Sequence, residues 1–138
     1  MVEVMVKKKI EVEQFNQEDE GFWNWMGRHF ASAQIKRELG IPMSSDETYQ
    51  WFLAFSGKDL AGFCAVTPER SGSRLRHVYV LPEFRNSGTG KQLIAAAITS
   101  VKKPLVVTVK ADDASFYTKF EFKPNGKAKG QYIDMIKE

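Results

Sequence analysis

Apolar positions along the chain change their period, and each change marks an element. In KKKIEVEQF, Lys7 to Phe15, apolar and polar residues alternate, as in a strand with one covered face. In EDEGFWNWMGRHFASAQIKRELG the apolar positions take helical spacing until Gly40 and Pro42 stop them. One or two helices are predicted there, with acidic residues crowding the start where the helix dipole favours them. TYQWFLAFS, the turn GKD and LAGFCAVTP predict a hairpin, and SRLRHVYVLP predicts a third antiparallel strand ending at Pro82. Leu93, Ile94, Ala97, Ile98 and Val101 return to helical spacing before Pro104. PLVVTVK then reads as a short buried strand and DDASFYTKF as a short helix capped by Asp112 or Asp113. QYIDMIK supplies a closing strand after the loop KPNGKAKG.

The resulting order, β-αα-βββ-α-β-α-ββ, is an α+β domain with a mixed sheet. The strand-helix-strand passage from Val80 through Val107 demands a parallel neighbour. No repeat, low-complexity tract or Pro/Gly/Ser linker interrupts it, so residues 1–138 read as one domain. The closing strand YIDMIK is expected to leave an edge that a second copy could cover, which leaves monomer and homodimer both open.

Composition narrows the class. With 43% apolar and 27% charged residues, a chain of 138 has enough core to fold alone. Cys64 is the single cysteine, among apolar neighbours, which excludes an internal disulfide or a cysteine-built zinc site and fits a reducing compartment. The first fifteen residues lack a signal-peptide apolar run, and nowhere do about 18 apolar residues follow one another. The expectation is a soluble, cytoplasmic protein with no membrane partner. His29 and His77 are the only histidines, too few for a metal site unless carboxylates join them.

The net charge of +3 is unevenly spread. Fourteen of the 20 Lys and Arg, but only eight of the 17 acidic residues, lie in residues 48–138. An anionic ligand belongs in that half, although a solvated basic surface gives the same bias. No basic block is dense enough to argue for nucleic acid by itself, so that partner is disfavoured but stays open. Lys127 and Lys129 in the NGKAKG loop read as an attractor for an acidic acceptor or as an ordinary solvated loop.

The basic half contains LPEFRNSGTGKQLIAAAI, Leu81 to Ile98, two glycines at the mouth of a helix. A Walker A loop would need glycine where Arg85 stands and Ser or Thr where Gln92 stands. A dinucleotide fingerprint would need glycine at Leu93. What remains is a turn whose backbone amides can converge on one anion, and a pyrophosphate is the natural guest.

Arg85-Asn86-Ser87-Gly88-Thr89-Gly90, preceded by Val78-Tyr79-Val80-Leu81-Pro82, resembles the acetyl-CoA loop of the GNAT N-acetyltransferase superfamily. SFYTKFEFKP resembles that family's Phe-Tyr-x-x-x-Gly-Phe segment, at the usual separation and within the same order of elements. The resemblance implies an acetyl-CoA-dependent N-acetyltransferase of GNAT-like fold, acting on a primary amine by direct attack in a ternary complex. It implies that amides from Arg85 through Lys91 hold the pyrophosphate, that the backbone at Val78 and Val80 pairs with the pantetheine arm, and that Phe116 and Tyr117 line the cofactor. It also implies Tyr117 as proton donor to the thiolate, a role its phenol of pKa ~10 suits, while a Tyr that only packs on the cofactor remains the rival reading. The Val80 amide is the oxyanion donor the resemblance suggests.

The chain departs from the family at the base. Arg74 and Arg76 stand where members often carry Glu or His before the Val. His77, with an intrinsic pKa of ~6.5, is the candidate base, yet strand alternation places it opposite Arg76 and Val78, which also fits a histidine at the edge of the core. Asp46, Glu47 and Glu69 are further acids near strand ends. Glu121 replaces the family's glycine before the last Phe, and Lys110 replaces a common Asn, so altered handling of the pantetheine is expected. Trp23, Trp25, Met26, His29 and Phe30 cluster on one helix, some as core and at least one as a candidate wall of an acceptor groove. Without a base on the expected strand, a catalytically weak acyl-CoA-binding or sensing module, or a nucleic-acid-associated protein of the same fold, are the alternatives.

Overall fold

The computed structural model describes residues 9–138. The first alternating stretch forms β1 (Ile10–Phe15); Lys7 and Lys8, at the start of the predicted strand, lie outside the described residues. The helical stretch divides into α1 (Phe22–Phe30) and α2 (Ala33–Leu39), because Ser32 caps the second helix by accepting the Ile35 amide at 3.2 Å. The acidic residues predicted at the helix start instead precede it. Asp19 accepts the Asn16 amide in the turn, and Gly21 takes the N-cap position.

β2 (Gln50–Ser56), β3 (Asp59–Glu69) and β4 (Gly72–Val80) form the antiparallel set the sequence predicts. A 3-10 turn at Pro82–Phe84 leads into α3 (Thr89–Ser100), and β5 (Leu105–Lys110) returns parallel to β4. Then come a 3-10 turn at Ala111–Asp113, α4 (Ala114–Thr118), the two-residue β6 (Lys123–Pro124) and β7 (Tyr132–Lys137). Asp113 holds the N-cap of α4 without a side-chain cap bond, since the preceding 3-10 turn already leads the backbone into the helix.

Among the described residues the sheet runs β1-β2-β3-β4-β5-β7-β6. β7 pairs along its length with β5, and on its other side the two-residue β6 pairs with Met135 and Ile136, so the edge the sequence suggested is partly covered. Phe52, Ala54, Cys64 and Val66 face α3, while Trp51, Leu53, Phe63 and Ala65 face α1 and α2. Covered on both sides, β2 and β3 therefore read as nearly continuous apolar runs. β5, predicted as wholly buried, alternates instead: Leu105, Val107 and Val109 are buried on the α3 side and Thr108 is exposed.

Two irregularities of β4 shape everything at its end. Opposite β3 the register shifts between Phe63 and Ala65, which pair with Tyr79 and Arg76, so β4 carries one extra residue. His77, at φ 55°, takes the bulge. On the other side, β4 and β5 pair only from Ser73–Leu105 to Leu75–Val107, after which the ladder stops. The sheet is split beyond that point.

Candidate functional site

The bulge corrects the alternation argument for His77. Leu75 and Val78 pack on the α3 side, whereas Arg76, paired with Ala65, and Tyr79, paired with Phe63, lie on the α1/α2 side. His77 joins them there, stacked on Trp51 (5.9 Å) and Tyr49 (6.3 Å). It is thus on the same face as Arg76, because the extra residue resets the period.

His77 Nε2 accepts the Ser44 amide at 3.3 Å, and the buried Nδ1 has no partner among the described residues. Burial above all, with the Arg76 charge behind it, pushes the imidazole down to about 4. The ring is therefore neutral at neutral pH, with its accepting nitrogen already engaged.

The glycine turn is built by sharp backbone changes. Asn86 (φ 64°) and Gly88 (φ 85°) are both left-handed, and Gly88 serves as the N-cap of α3. Ser87 braces the turn from within: its hydroxyl donates to the Phe84 carbonyl and shares a bond with Thr89 Oγ1 at 2.8 Å. The first amide returned to the helix ladder is that of Gln92, to the Gly88 carbonyl at 3.0 Å. Among the described residues, no amide from Asn86 through Lys91 finds an acceptor, whereas the Arg85 amide, expected in the same set, is turned back to the Pro82 carbonyl at 3.4 Å by the 3-10 turn. Unsatisfied amides at the positive end of a twelve-residue helix are a seat for an anion.

A groove of about 550 Å³ opens in front of this turn. Of the residues assigned to the cofactor from the sequence, all but Ser87 line it: Val78, Val80, Arg85, Asn86, Gly88, Thr89, Gly90, Lys91, Phe116 and Tyr117. A Cβ on Gly90 would stand in ordinary contact with two of its walls, 3.4 Å from the Phe116 ring and 3.6 Å from the Val80 side chain, so a larger side chain there would project into the groove. Arg85 lies at the margin, donating to the Val80 carbonyl (3.0 Å) and to Glu38 (3.1 Å), with its guanidinium 5.4 Å from the centre of the Tyr79 ring.

On the other side of the split lies a cavity of about 230 Å³, walled by Glu38, Ile41, Arg76, His77, Lys110 and Tyr132 among others. Val78, Asp113 and Tyr117 line both spaces. Tyr117 packs edge-on against Phe116 (5.3 Å) and Phe122 (5.7 Å), and burial chiefly raises its phenol, with Cys64 and Asp113 adding to the effect. It stays protonated at any physiological pH.

Nothing in the sequence marks Glu38 as a residue of this cavity. The Tyr79 hydroxyl donates to Glu38, which above all holds its carboxyl below the usual range, with Arg85 assisting against burial. Burial first, and then Glu38, pushes Tyr79 up to about 12. No local pattern links residues 38, 79 and 85. Asp113, read only as a cap, had a usable signal: it stands four residues before Tyr117, one helical turn away.

The other sequence candidates lie elsewhere. Asp46 is occupied by the Thr48 amide and hydroxyl (2.7 and 2.6 Å), and Glu69 by Arg74 at 2.5 Å. Glu47, Lys127 and Lys129 are exposed and line neither space. Met26 is core; Trp25 and His29 line a separate groove with Leu81 and Phe84. Lys110 borders the smaller cavity and not the groove, so its substitution for Asn falls on the other side of the split from the glycine turn. Among the described residues no group of His, Cys, Asp or Glu is gathered as a metal site, and no helix is long and apolar enough to cross a membrane.

A family model described as an acetyltransferase (GNAT) domain matches residues 47–124, which include the glycine turn and Tyr117. The chain belongs to the GNAT acetyltransferase family. No curated protein matches this GNAT domain. Among solved structures it is similar to ElaA of Escherichia coli, with 16% identity over 94% of this chain and 100% of that one, at a TM-score of 0.75. It is also similar to a GNAT family acetyltransferase from Elizabethkingia anophelis with acetyl-CoA bound (16% identity, 92% of this chain and 94% of that one, TM-score 0.62). PaiA N-acetyltransferase from Thermoplasma acidophilum, in complex with coenzyme A, matches at 17% identity over 94% of this chain and 99% of that one, TM-score 0.65. At these identities the likeness is one of fold, and the mixed sheet with its four helices is the GNAT fold.

Proposed function

We propose that this GNAT domain transfers an acetyl or other short acyl group from acetyl-CoA to a primary amine held in the smaller cavity. The carrying observation is that an anion-ready groove and a separate cavity meet at the split, sharing Val78, Asp113 and Tyr117. Similar folds solved with acetyl-CoA or coenzyme A bound support the same cosubstrate. The free amides of residues 86–91 hold the pyrophosphate, and the main chain of Val78 and Val80, beyond the end of the β5 ladder, receives the pantetheine arm as an added strand.

Acetyl-CoA supplies the acyl group as a thioester. The amine, arriving as an ammonium, first releases one proton to water; its nitrogen then forms the new C–N bond, the C–S bond breaks, the sulfur takes the Tyr117 proton, and the second amine proton, relayed through solvent, restores the Tyr117 phenol. The high pKa that burial gives Tyr117 keeps that proton in place until a thiolate develops. The Val80 amide is the proposed oxyanion donor. His77 has no proton-accepting part in this scheme, since Ser44 occupies Nε2.

One observation favours a second reading, coenzyme binding without turnover: β4 carries arginines before Val78, and its histidine is sealed. Isothermal titration with acetyl-CoA tests the first requirement of both. Micromolar binding is expected, and Gly90→Asp, which adds a carboxylate where the backbone needs no positive φ, is expected to weaken it at least tenfold. Absence of binding by the unaltered protein would remove the proposal.

A further inference from the structure

The smaller cavity contains cations that the fold leaves without counterions. Arg74 is satisfied: Glu69 receives its Nε at 2.5 Å, its guanidinium donates to Thr108 Oγ1 at 3.1 Å, and Thr108 donates onward to Asp134 at 2.6 Å. Glu38 is likewise engaged, by Tyr79 and Arg85. Arg76 has one bond, to Thr67 Oγ1 at 3.1 Å, and Lys110 makes none; no carboxylate among the described residues pairs with either. Both are half-buried, so part of their hydration is lost without replacement.

Strand alternation puts these two side chains on one face, and both line one cavity. Leu75 and Val107 form the last β4–β5 pair, and both point to the α3 side along with Val109. Arg76 and Lys110 therefore stand on the opposite face, on either side of the split, and both border the cavity. Asp113, three residues beyond Lys110, lies at the other end of that space, where it meets the groove beside Tyr117. Asp113 makes no ion pair among the described residues and is exposed, so it stays hydrated until a ligand arrives. Apart from Glu38, which Tyr79 and Arg85 engage, the unpaired groups at this cavity are two cations and one acid, and of the three only the acid also borders the groove.

We infer that the acceptor is a small amine that also carries an anionic group, a carboxylate or a phosphate, which Arg76 and Lys110 seat while Asp113 draws in the ammonium end, which loses its proton to water before attack beside Val78 and Tyr117. This rests on the acetyl-transfer reading above. A guanidinium fork matches either anion in a bidentate manner, and a neighbouring ammonium adds charge without fixing geometry. The cavity, about 230 Å³, has room for a small molecule of this kind.

The test compares matched amines in a thiol-release assay: 4-aminobutyrate against butylamine, and 2-aminoethyl phosphate against ethanolamine. At least one anionic member is expected to show a KM tenfold or more below its neutral partner, and the pair that responds identifies carboxylate or phosphate. Arg76→Gln and Lys110→Gln are each expected to raise the KM for that amine about tenfold or more, with the acetyl-CoA Kd, read by titration, as proof of an intact groove. Direct titration of the anionic amines into protein saturated with coenzyme A is expected to give the same order. Equal KM values within each pair, no binding of either anionic amine, or a preference that survives both substitutions would overturn this inference while acetyl-CoA binding stood. Loss of acetyl-CoA binding in the unaltered protein would overturn the acetyl-transfer reading, and this inference with it.

Discussion

His77 shows how much one side chain can depend on its burial. Stacked on Trp51 and Tyr49 and bonded through Nε2 to the Ser44 amide, it carries its proton on an Nδ1 that nothing meets. Its pKa falls to about 4 in the fold, against 6.5 for a free imidazole. The unfolded chain therefore binds the extra proton first on acidification, so this neutral site stabilises the fold fully above about pH 6.5 and progressively less down to pH 4. The expected loss is on the order of 3 kcal/mol or less across that window. Urea unfolding of the native protein and of His77→Gln at pH 7 and pH 4.5 checks it: the variant should lose less stability between the two, and equal losses would contradict a buried neutral histidine. Glu121 illustrates the same dependence on backbone. At φ 69° it occupies a conformation that favours glycine, the residue the family pattern has there, while its side chain reaches only an exposed contact with Lys137 at 3.3 Å.

Among the elements, β4 is the one whose irregularity makes the site. Its bulge rotates the residues after Arg76, and its early parting from β5 leaves Val78 between groove and cavity. β3 must follow closely, and Gly62 permits it. A Cβ on Gly62 would lie 2.7 Å from the Tyr79 carbonyl and 3.2 Å from both the Val80 Cα and a Thr89 methyl, and the first two contacts are backbone that cannot rotate away. Gly62→Ala is therefore expected to destabilise the protein by about 2 kcal/mol, read as a lower midpoint of guanidinium unfolding with an unchanged slope. A shift equivalent to less than about 0.5 kcal/mol would mean the two strands part more readily than this packing implies.

At the scale of the whole molecule, function depends on pieces distant in sequence arriving at one junction. Val78 comes from β4, Asp113 from the turn after β5 and Tyr117 from α4, while α2 closes the smaller cavity through Glu38. If Tyr117 donates the proton there, Tyr117→Phe keeps the ring packed on Phe116 and Phe122 but removes the donor. Turnover is expected to fall about a hundredfold or more, with acetyl-CoA affinity nearly unchanged. Thiol release and titration on the same preparation measure both, and undiminished turnover would leave Tyr117 a packing residue.

The sequence by itself determined the order of elements, the parallel return after α3, and the turn that places free amides at a helix start. Each depends on contacts between near neighbours, and periodicity with a pair of glycines records those directly. Only the tertiary structure decided which face His77 takes, that β6 covers part of β7, and that Glu38 and Asp113 border the site while Asp46, Glu47 and Glu69 do not. A bulge adds one residue without changing the pattern of residue types, and the split between two parallel strands is set by packing across the sheet. Such features bring together side chains 30 or more positions apart, which no local spacing encodes.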